Sequence, residues 1–118
     1  MDYGLKSKVI LVTGAADGCG KAIATLFASE GANVILHDLP SKEEILKENI
    51  KVIGQGSRYV TADLSDTVAV EQMWCEVGEI DCLVNNAGIW PTAYVTEMTS
   101  DAFKKTLDIN LIAPFILS

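Results

Sequence analysis

A glycine-rich segment near the N-terminus is the first place in this 118-residue chain where residue types and spacing suggest chemistry. It reads Thr13-Gly14-Ala15-Ala16-Asp17-Gly18-Cys19-Gly20, after the branched apolar run 9–12 and before a helix predicted from Lys21. Glycines at these positions permit a tight turn and let backbone N–H groups approach a phosphate. The helix N-terminus adds a partial positive charge. We therefore predict that this segment binds a pyrophosphate between a strand and a helix.

Two other interpretations apply to the same residues. A nucleoside-triphosphate loop needs Gly-x-x-x-x-Gly-Lys-Ser/Thr, because the lysine and the hydroxyl contact phosphate and magnesium. With Gly20-Lys21 aligned, Ala15 replaces the first glycine and Ala22 replaces the hydroxyl residue, so triphosphate hydrolysis is not expected. A glycine-rich turn with a purely structural role remains the alternative.

Asp38 lies eighteen positions beyond Gly20, just after a strand predicted over residues 34–36. A carboxylate there can accept hydrogen bonds from both ribose hydroxyls of an adenosine. It would repel a 2′-phosphate, and the next residue, Leu39, supplies no cation, so we predict NAD in preference to NADP. A solvated turn residue is the alternative for Asp38. We interpret His37 beside it as a strand-end residue rather than a catalyst.

The elements that position these residues alternate between short apolar runs and helical stretches. Strands are predicted over residues 9–12, 34–36, 58–61 and 82–84. Helices are predicted from Lys21 towards Gly31, from a capping box Ser41-Lys42-Glu43-Glu44 to Gly54-Gln55-Gly56, over 68–77, and from Thr99 or Ser100 onwards. This alternation predicts an α/β fold, a Rossmann-type open parallel sheet with helices on both faces.

About four strands fit into the chain, and its final residues 111–118 form part of an apolar helical stretch. Parallel strands are normally covered on both faces and need neighbours on both sides of the switch point. We therefore expect residues 1–118 to be the N-terminal part of a single dinucleotide-binding Rossmann-fold domain, with the fold incomplete.

Composition excludes several classes of protein. Hydrophobic residues make up 49% and charged residues 21%, which suits a packed core. A net charge of −7 argues against nucleic-acid binding, and no apolar run has the length of a membrane helix. No secretory signal is present, so a cytoplasmic location is expected. Cys19, Cys75 and Cys82 are expected to be buried or half-buried free thiols, with no metal site.

Several motifs resemble those of the classical short-chain dehydrogenases/reductases. Thr13-Gly14-x-x-x-Gly18-x-Gly20 is similar to that family's cofactor signature, with Cys19 in place of the usual isoleucine. Asp63-Leu64 resembles the family's residue pair whose acidic member contacts the adenine ring. Asn85-Asn86-Ala87-Gly88 resembles the motif that closes the sheet and lines the nicotinamide-side ribose. Asn110 matches the asparagine of the family's four-residue catalytic set. In the family, that asparagine distorts its helix and holds a water in the proton relay.

The resemblance implies an NAD-dependent alcohol dehydrogenase or ketone reductase that acts on a small-molecule alcohol or carbonyl compound. It also implies a homodimer or homotetramer in the full-length enzyme, and a catalytic role for Asn110. The residues expected to bind the cofactor are Gly14, Asp17, Gly18, Cys19, Gly20, Asp38, Asp63, Leu64, Asn86, Ala87 and Gly88.

The family's proton transfer also uses a serine and a Tyr-x-x-x-Lys pair, and these 118 residues contain no such pair. Tyr3, Tyr59 and Tyr94 are followed four positions later by serine, aspartate and methionine. Ser118 lies too close to Asn110 to be the substrate serine. We therefore expect the chain alone to show no turnover.

Three alternatives stay open. The short segment 65–81 resembles the 3-oxoacyl-carrier-protein reductase branch of the family. A non-catalytic dinucleotide-binding module belongs to another class of protein, and a decayed gene product that does not fold stably is the third.

Overall fold

The computed structural model describes residues 1–54 and 56–118 and is built around one parallel sheet. The sheet has four strands in the order β3-β2-β1-β4. Val12 of β1 pairs with Leu36 on one side and with Val84 on the other, so β1 is flanked on both sides. The strands are β1 Val9–Val12, β2 Asn33–Asp38, β3 Arg58–Thr61 and β4 Cys82–Val84. All four predicted strands are confirmed, and β2 continues to include Asp38.

In the described residues, five α-helices connect or follow the strands. A 3₁₀ turn over Pro40–Lys42 precedes the second helix, and a π-helical segment over Asp108–Ile112 lies between the last two. The helices are α1 Gly18–Ser29, α2 Glu43–Ile53, α3 Thr67–Val77, α4 Ser100–Leu107 and α5 Ala113–Leu117.

The core lies in two layers, one on each face of the sheet. Alternate residues of a strand point to opposite faces, so Leu11 and Ile10 of β1 enter different layers. The Leu11 layer packs strands against α3 and the C-terminal helices; its members include Ile35, Val60, Val70, Met73, Ile109 and Leu117. The Ile10 layer packs strands against α1 and α2; its members include Val12, Val34, Leu36, Ala24 and Leu46. Helices on both faces confirm the Rossmann-type prediction.

Two helix starts differ from their predictions. Helix α1 begins at Gly18 rather than Lys21, because the Asp17 carbonyl already accepts from the Lys21 N–H at 3.1 Å. The capping box at Ser41 is wrong. Pro40 starts a 3₁₀ turn that contains Ser41, and α2 begins only after Lys42 with no capping side chain among the described residues.

Other helix ends follow the expected chemistry. Helix α1 ends with hydrogen bonds from Gly31 N–H to the Ala28 carbonyl at 3.0 Å and from Ala32 N–H to the Phe27 carbonyl at 3.1 Å. These two bonds form a Schellman motif. Helix α2 ends at Gly54, as expected, while Gln55 of the predicted terminator lies outside the described residues.

The predicted last helix is confirmed as a distorted one. The Thr99 hydroxyl caps its start by accepting from the Ala102 N–H at 3.1 Å. The π-helical segment contains Asn110 and is followed by Pro114, which has no backbone N–H. The expected distortion around Asn110 is therefore present.

The three cysteines are free, as expected, but the prediction that they are buried or half-buried is wrong. All three are exposed. Cys19 lies in the first turn of α1, Cys75 lies off the buried face of α3, and Cys82 lies on β4 at an edge of the sheet.

Within the part of the chain that the structure describes, no helix combines the length and apolarity needed to cross a bilayer.

Candidate functional site

A cleft of about 540 Å³ opens at the carboxyl ends of the strands. The connections from β1 and β3 run to opposite sides of the sheet, and this reversal creates a crevice at such a point in open α/β sheets. All of the predicted cofactor-binding residues line it: Gly14, Asp17, Gly18, Cys19, Gly20, Asp38, Asp63, Leu64, Asn86, Ala87 and Gly88. Its volume is typical of small-molecule sites, which occupy about 300–1,000 Å³.

The glycine-rich loop presents an uncapped helix end to this cleft. Among the described residues no side chain caps α1, and its first turn carries no acid. Gly18 has φ of +55°, and no described atom lies within 4 Å of where a Cβ would stand. A Cβ on Gly20 would come 2.1 Å from the Gly14 carbonyl oxygen, so the loop folds tightly against the helix. An anion at this end would meet N–H groups and the positive end of the helix dipole.

Thr13 and Asn86 join the ends of β1 and β4 beneath the loop. The Thr13 hydroxyl accepts from the Asn86 and Ala87 N–H groups at 3.1 and 3.0 Å. The Asn86 amide donates to the carbonyls of Thr13 and Gly14 at 3.0 and 3.2 Å. Sequence reasoning did not assign Thr13 to the site, although its position at the start of the glycine signature was an available signal.

Asp38 is buried at the end of β2 and holds the loop from the other side. One carboxylate oxygen accepts from the Ala16 N–H at 3.0 Å, and the other accepts from the Leu39 N–H at 2.8 Å. A carboxylate offers about four lone-pair sites, so each oxygen can accept one further hydrogen bond. The buried Asn49 amide donates to the Ala16 carbonyl at 2.8 Å. Sequence reasoning missed Asn49, because nothing local marks a helix residue that reaches a distant loop.

Lys42 contributes a cation that sequence reasoning also missed. Its ammonium lies 3.0 Å from an oxygen of Asp17, and both residues line the cleft. The hydrogen bond to Asp17 raises the pKa of Lys42, and the field of Asp38 raises it further. The residue next to Asp38 in the sequence, Leu39, carries no charge, whereas the 3₁₀ turn brings Lys42 back to the loop. In the part of the chain that the structure describes, this end of the cleft therefore holds two carboxylates and one ammonium.

Asp63 follows β3 on the same side of the cleft. One of its oxygens accepts from the Ser65 hydroxyl at 2.7 Å and from the Ser65 N–H at 2.9 Å. These bonds hold the pKa of Asp63 below its usual value, so the group is a carboxylate at neutral pH. Leu64 is buried next to it and belongs to the Leu11 core layer. The pair thus places an anion and an apolar wall together.

His37 lies beneath the loop as the penultimate residue of β2, in line with its interpretation as a strand-end residue. Its side chain is buried between the glycine-rich loop and the end of β3. Burial lowers the pKa of this histidine, while the Ala62 carbonyl and the charge of Asp38 raise it to a smaller extent. The imidazole is therefore neutral at pH 7.

Asn110 reaches the cleft through its neighbour Ile89. The amide oxygen accepts from the Ile89 N–H at 2.9 Å, and the amide nitrogen donates to the Ile89 carbonyl at 2.6 Å. Such a two-point contact holds the backbone that follows Gly88, and Ile89 itself lines the cleft. Asn110 lies within the π-helical segment, and such segments are frequent at functional sites.

Comparisons with known proteins agree with this arrangement. The family model described as short chain dehydrogenase matches residues 8–118. The 2-dehydro-3-deoxy-D-gluconate 5-dehydrogenase of Formosa agariphila is 36% identical over 123 residues, covering 98% of this chain and 46% of that protein. The chain spans about half the length of the curated relatives it matches.

Two solved structures show the same fold. The crystal structure of a proposed betaketoacyl-ACP reductase superposes with a TM-score of 0.89 at 34% identity, covering 96% of this chain and 46% of that one. A blue fluorescent protein from a metagenomic library, in complex with NADPH, superposes with a TM-score of 0.86 at 34% identity, covering 96% of this chain and 49% of that one.

Proposed function

The chain belongs to the short-chain dehydrogenase family, and on that premise we propose that its cleft binds a nicotinamide dinucleotide, with NAD preferred over NADP. One observation carries the proposal: the predicted cofactor-binding residues line a single cleft beside an uncapped helix N-terminus. When bound, the dinucleotide would supply hydride transfer to or from a small-molecule alcohol or carbonyl compound.

The residues divide the cleft into regions of different chemistry. Backbone N–H groups around Gly18 and Gly20, with Cys19 between them and Gly14 forming the start of the loop, would hold the pyrophosphate. Asp38 would accept from the adenosine ribose, and the anion and apolar wall of Asp63 and Leu64 would hold the adenine. Asn86, Ala87 and Gly88 would line the nicotinamide-side ribose. Asn110 would act by positioning Ile89, and the further proposal that it anchors a proton relay rests on the family resemblance.

Charge supports the preference for NAD. Among the described residues, the ribose end of the cleft holds the carboxylates of Asp38 and Asp17 and one ammonium, that of Lys42, which is already paired with Asp17. A 2′-phosphate would bring further negative charge beside a buried carboxylate. The NADPH bound to the metagenomic relative makes this preference the sharpest point to test.

We expect the chain to bind NADH more tightly than NADPH in a fluorescence titration. Asp38→Asn removes the repelling charge but keeps the side-chain shape. The dissociation constant of NADPH divided by that of NADH should therefore fall by about tenfold. Glu71→Gln, which removes an exposed acid on α3, is the matched control and should leave the ratio unchanged.

Tighter binding of NADPH by the unaltered chain would contradict the preference, and binding of neither dinucleotide would contradict the proposal itself.

We also propose that residues 1–118 are the N-terminal part of a single domain that binds the cofactor without turnover. Purified chain with NAD and a panel of alcohols should therefore give no NADH absorbance, and measurable turnover would overturn that statement.

A 3-oxoacyl-carrier-protein reductase is the second candidate, supported by the fold shared with the proposed betaketoacyl-ACP reductase. Such an enzyme consumes a reduced cofactor, and the short segment 65–81 fits that branch. The same titration separates the candidates: resemblance to that branch implies a preference for NADP, so tighter binding of NADPH would favour the reductase.

A further inference from the structure

The imidazole of His37 connects the glycine-rich loop to the end of β3. The Gly14 N–H donates to its Nδ1 at 3.3 Å, and its Nε2 lies 3.0 Å from the Ala62 carbonyl oxygen. The side chain is 2% exposed. Two elements that are 48 residues apart in the chain, at Gly14 and Ala62, are thus bridged by one ring.

Only one protonation state satisfies both contacts. The Gly14 N–H is a donor, so Nδ1 must carry a lone pair. The Ala62 carbonyl is an acceptor, so Nε2 must carry the hydrogen. A second proton on Nδ1 would face the Gly14 N–H with another donor and would place a charge in a buried position.

We propose that His37 is a positioning residue for the dinucleotide loop: its neutral, Nε2-protonated ring fixes the Gly14 amide, and its protonation releases that amide and weakens anion binding by the loop. The ligand half of this inference rests on the proposed function. The half that concerns the ring and the Gly14 amide does not.

The charges around the ring are consistent with a titration below neutral pH. Asp38, on the same strand, favours the charged ring, but its carboxylate is engaged by the Ala16 and Leu39 N–H groups. Asp63, which follows Ala62 on the side of β3, is engaged by Ser65. At the loop, Asp17 and Lys42 neutralise one another. Burial is the largest influence and lowers the pKa of His37.

The chain contains a single histidine, which makes a direct test possible. With isotope-labelled histidine, nitrogen and carbon shifts at pH 7.5 should report the Nε2-protonated tautomer. As the pH is lowered to about 5, the amide signal of Gly14 should shift with the same midpoint as the ring. An Nδ1-protonated tautomer, or a Gly14 amide signal that does not change as the ring is protonated, would overturn the inference.

Binding supplies the second test, with ADP-ribose as the probe. Its affinity for the unaltered chain should fall about tenfold as the ring is protonated, because the loop loses a hydrogen bond that holds its shape. His37→Asn places an uncharged oxygen near the Nδ1 position, so affinity at pH 7.5 should stay within about threefold and the acid dependence should disappear. His37→Leu removes the acceptor and should weaken binding about fivefold at every pH.

Each outcome is decisive. Tighter binding in acid would show that the ring acts as a cation for the ligand, and a persistent acid dependence in His37→Asn would assign the titration elsewhere; either result overturns the inference. If ADP-ribose bound at no pH while the ring and the Gly14 amide still titrated together, the proposed function would fail and the positioning role of His37 would stand. If a variant did not fold by circular dichroism, the measurements on the unaltered chain would still decide.

Discussion

Gly18 and Gly20 illustrate, at the scale of single residues, that one motif can need glycine for two different reasons. Gly18 has a left-handed backbone conformation and open space beside it, so a side chain there meets strain but no clash. Gly20 has no such conformation, but a Cβ would collide with the Gly14 carbonyl oxygen. The sequence pattern alone cannot show whether a glycine is required for its backbone conformation or for a close contact with a neighbour.

Alanine substitutions separate the two reasons. Gly18→Ala should lower the free energy of unfolding by about 1–2 kcal/mol, which is the cost of left-handed backbone in an L-residue. Gly20→Ala should lower it by about 3 kcal/mol or more, since backbone rather than a flexible side chain blocks the site. Urea denaturation of both variants measures the difference, and equal destabilisation would contradict this account.

Residues with a local signal could be predicted, and those that act over a distance could not. Asp38 and Asn86 have a fixed spacing from a strand or a glycine motif, and both line the cleft. His37, Lys42 and Asn49 carry no such spacing. Each contacts the glycine-rich loop only because β2, the 3₁₀ turn and α2 fold back over it.

Helix starts show the same contrast at the scale of elements. Asp66 accepts from the Val68 and Ala69 N–H groups at 3.0 and 3.3 Å and so caps α3. Ser41 has the sequence of a capping box but caps nothing in the described structure, because Pro40 fixes a 3₁₀ turn ahead of the helix. The periodicity located both helices, but the residue at which a helix begins depends on its neighbours, as the 3₁₀ turn at Pro40 shows.

This contrast gives a matched pair of variants. Asp66→Ala should reduce the free energy of unfolding by about 1 kcal/mol, as removal of a helix cap usually does. Ser41→Ala should change it by less than about 0.5 kcal/mol, the range of ordinary surface substitutions. Thermal and urea unfolding of both variants test the pair. A larger loss of unfolding free energy in Ser41→Ala than in Asp66→Ala would show that Ser41 does cap α2.

At the scale of the whole molecule, Asp81 joins the first strand to the last. Its carboxylate accepts from the Val9 N–H at 2.8 Å and lies 3.4 Å from the Lys8 ammonium. The Val9 hydrogen bond holds the pKa of Asp81 below its usual 3.8, and Lys8 contributes in the same direction. A lowered pKa means that the stabilisation is present above pH 3.8 and is lost as the pH falls through the lowered value.

Asp81→Asn should therefore lower the free energy of unfolding at pH 7 and pH 5. The gap between the unaltered chain and the variant should narrow at pH 3, because below the ordinary pKa of 3.8 the Asp81 carboxylate takes up a proton more readily in the unfolded chain than in the folded one. Urea titrations at the three pH values give this gap directly. Glu76→Gln, an exposed change on α3, should show no such pattern. A gap that widened in acid would contradict the assignment.

The parallel arrangement of the sheet could be inferred from the alternation of strands and helices, because parallel strands require crossovers. What that alternation could not supply is contact across the sheet. The pairing of Thr13 with Asn86 and of Asp81 with Val9 depends on β4 lying next to β1, and no local pattern in either segment records its partner.

The bond between Thr13 and Asn86 spans 73 residues, and this separation has a consequence in time. At a synthesis rate of about 5–20 residues per second, the ribosome completes Asn86 roughly 4–15 seconds after Thr13. During that interval the Thr13 and Gly14 carbonyls lack the amide that fixes them in the finished fold. The glycine-rich loop is thus made several seconds before the residue whose amide fixes two of its carbonyls.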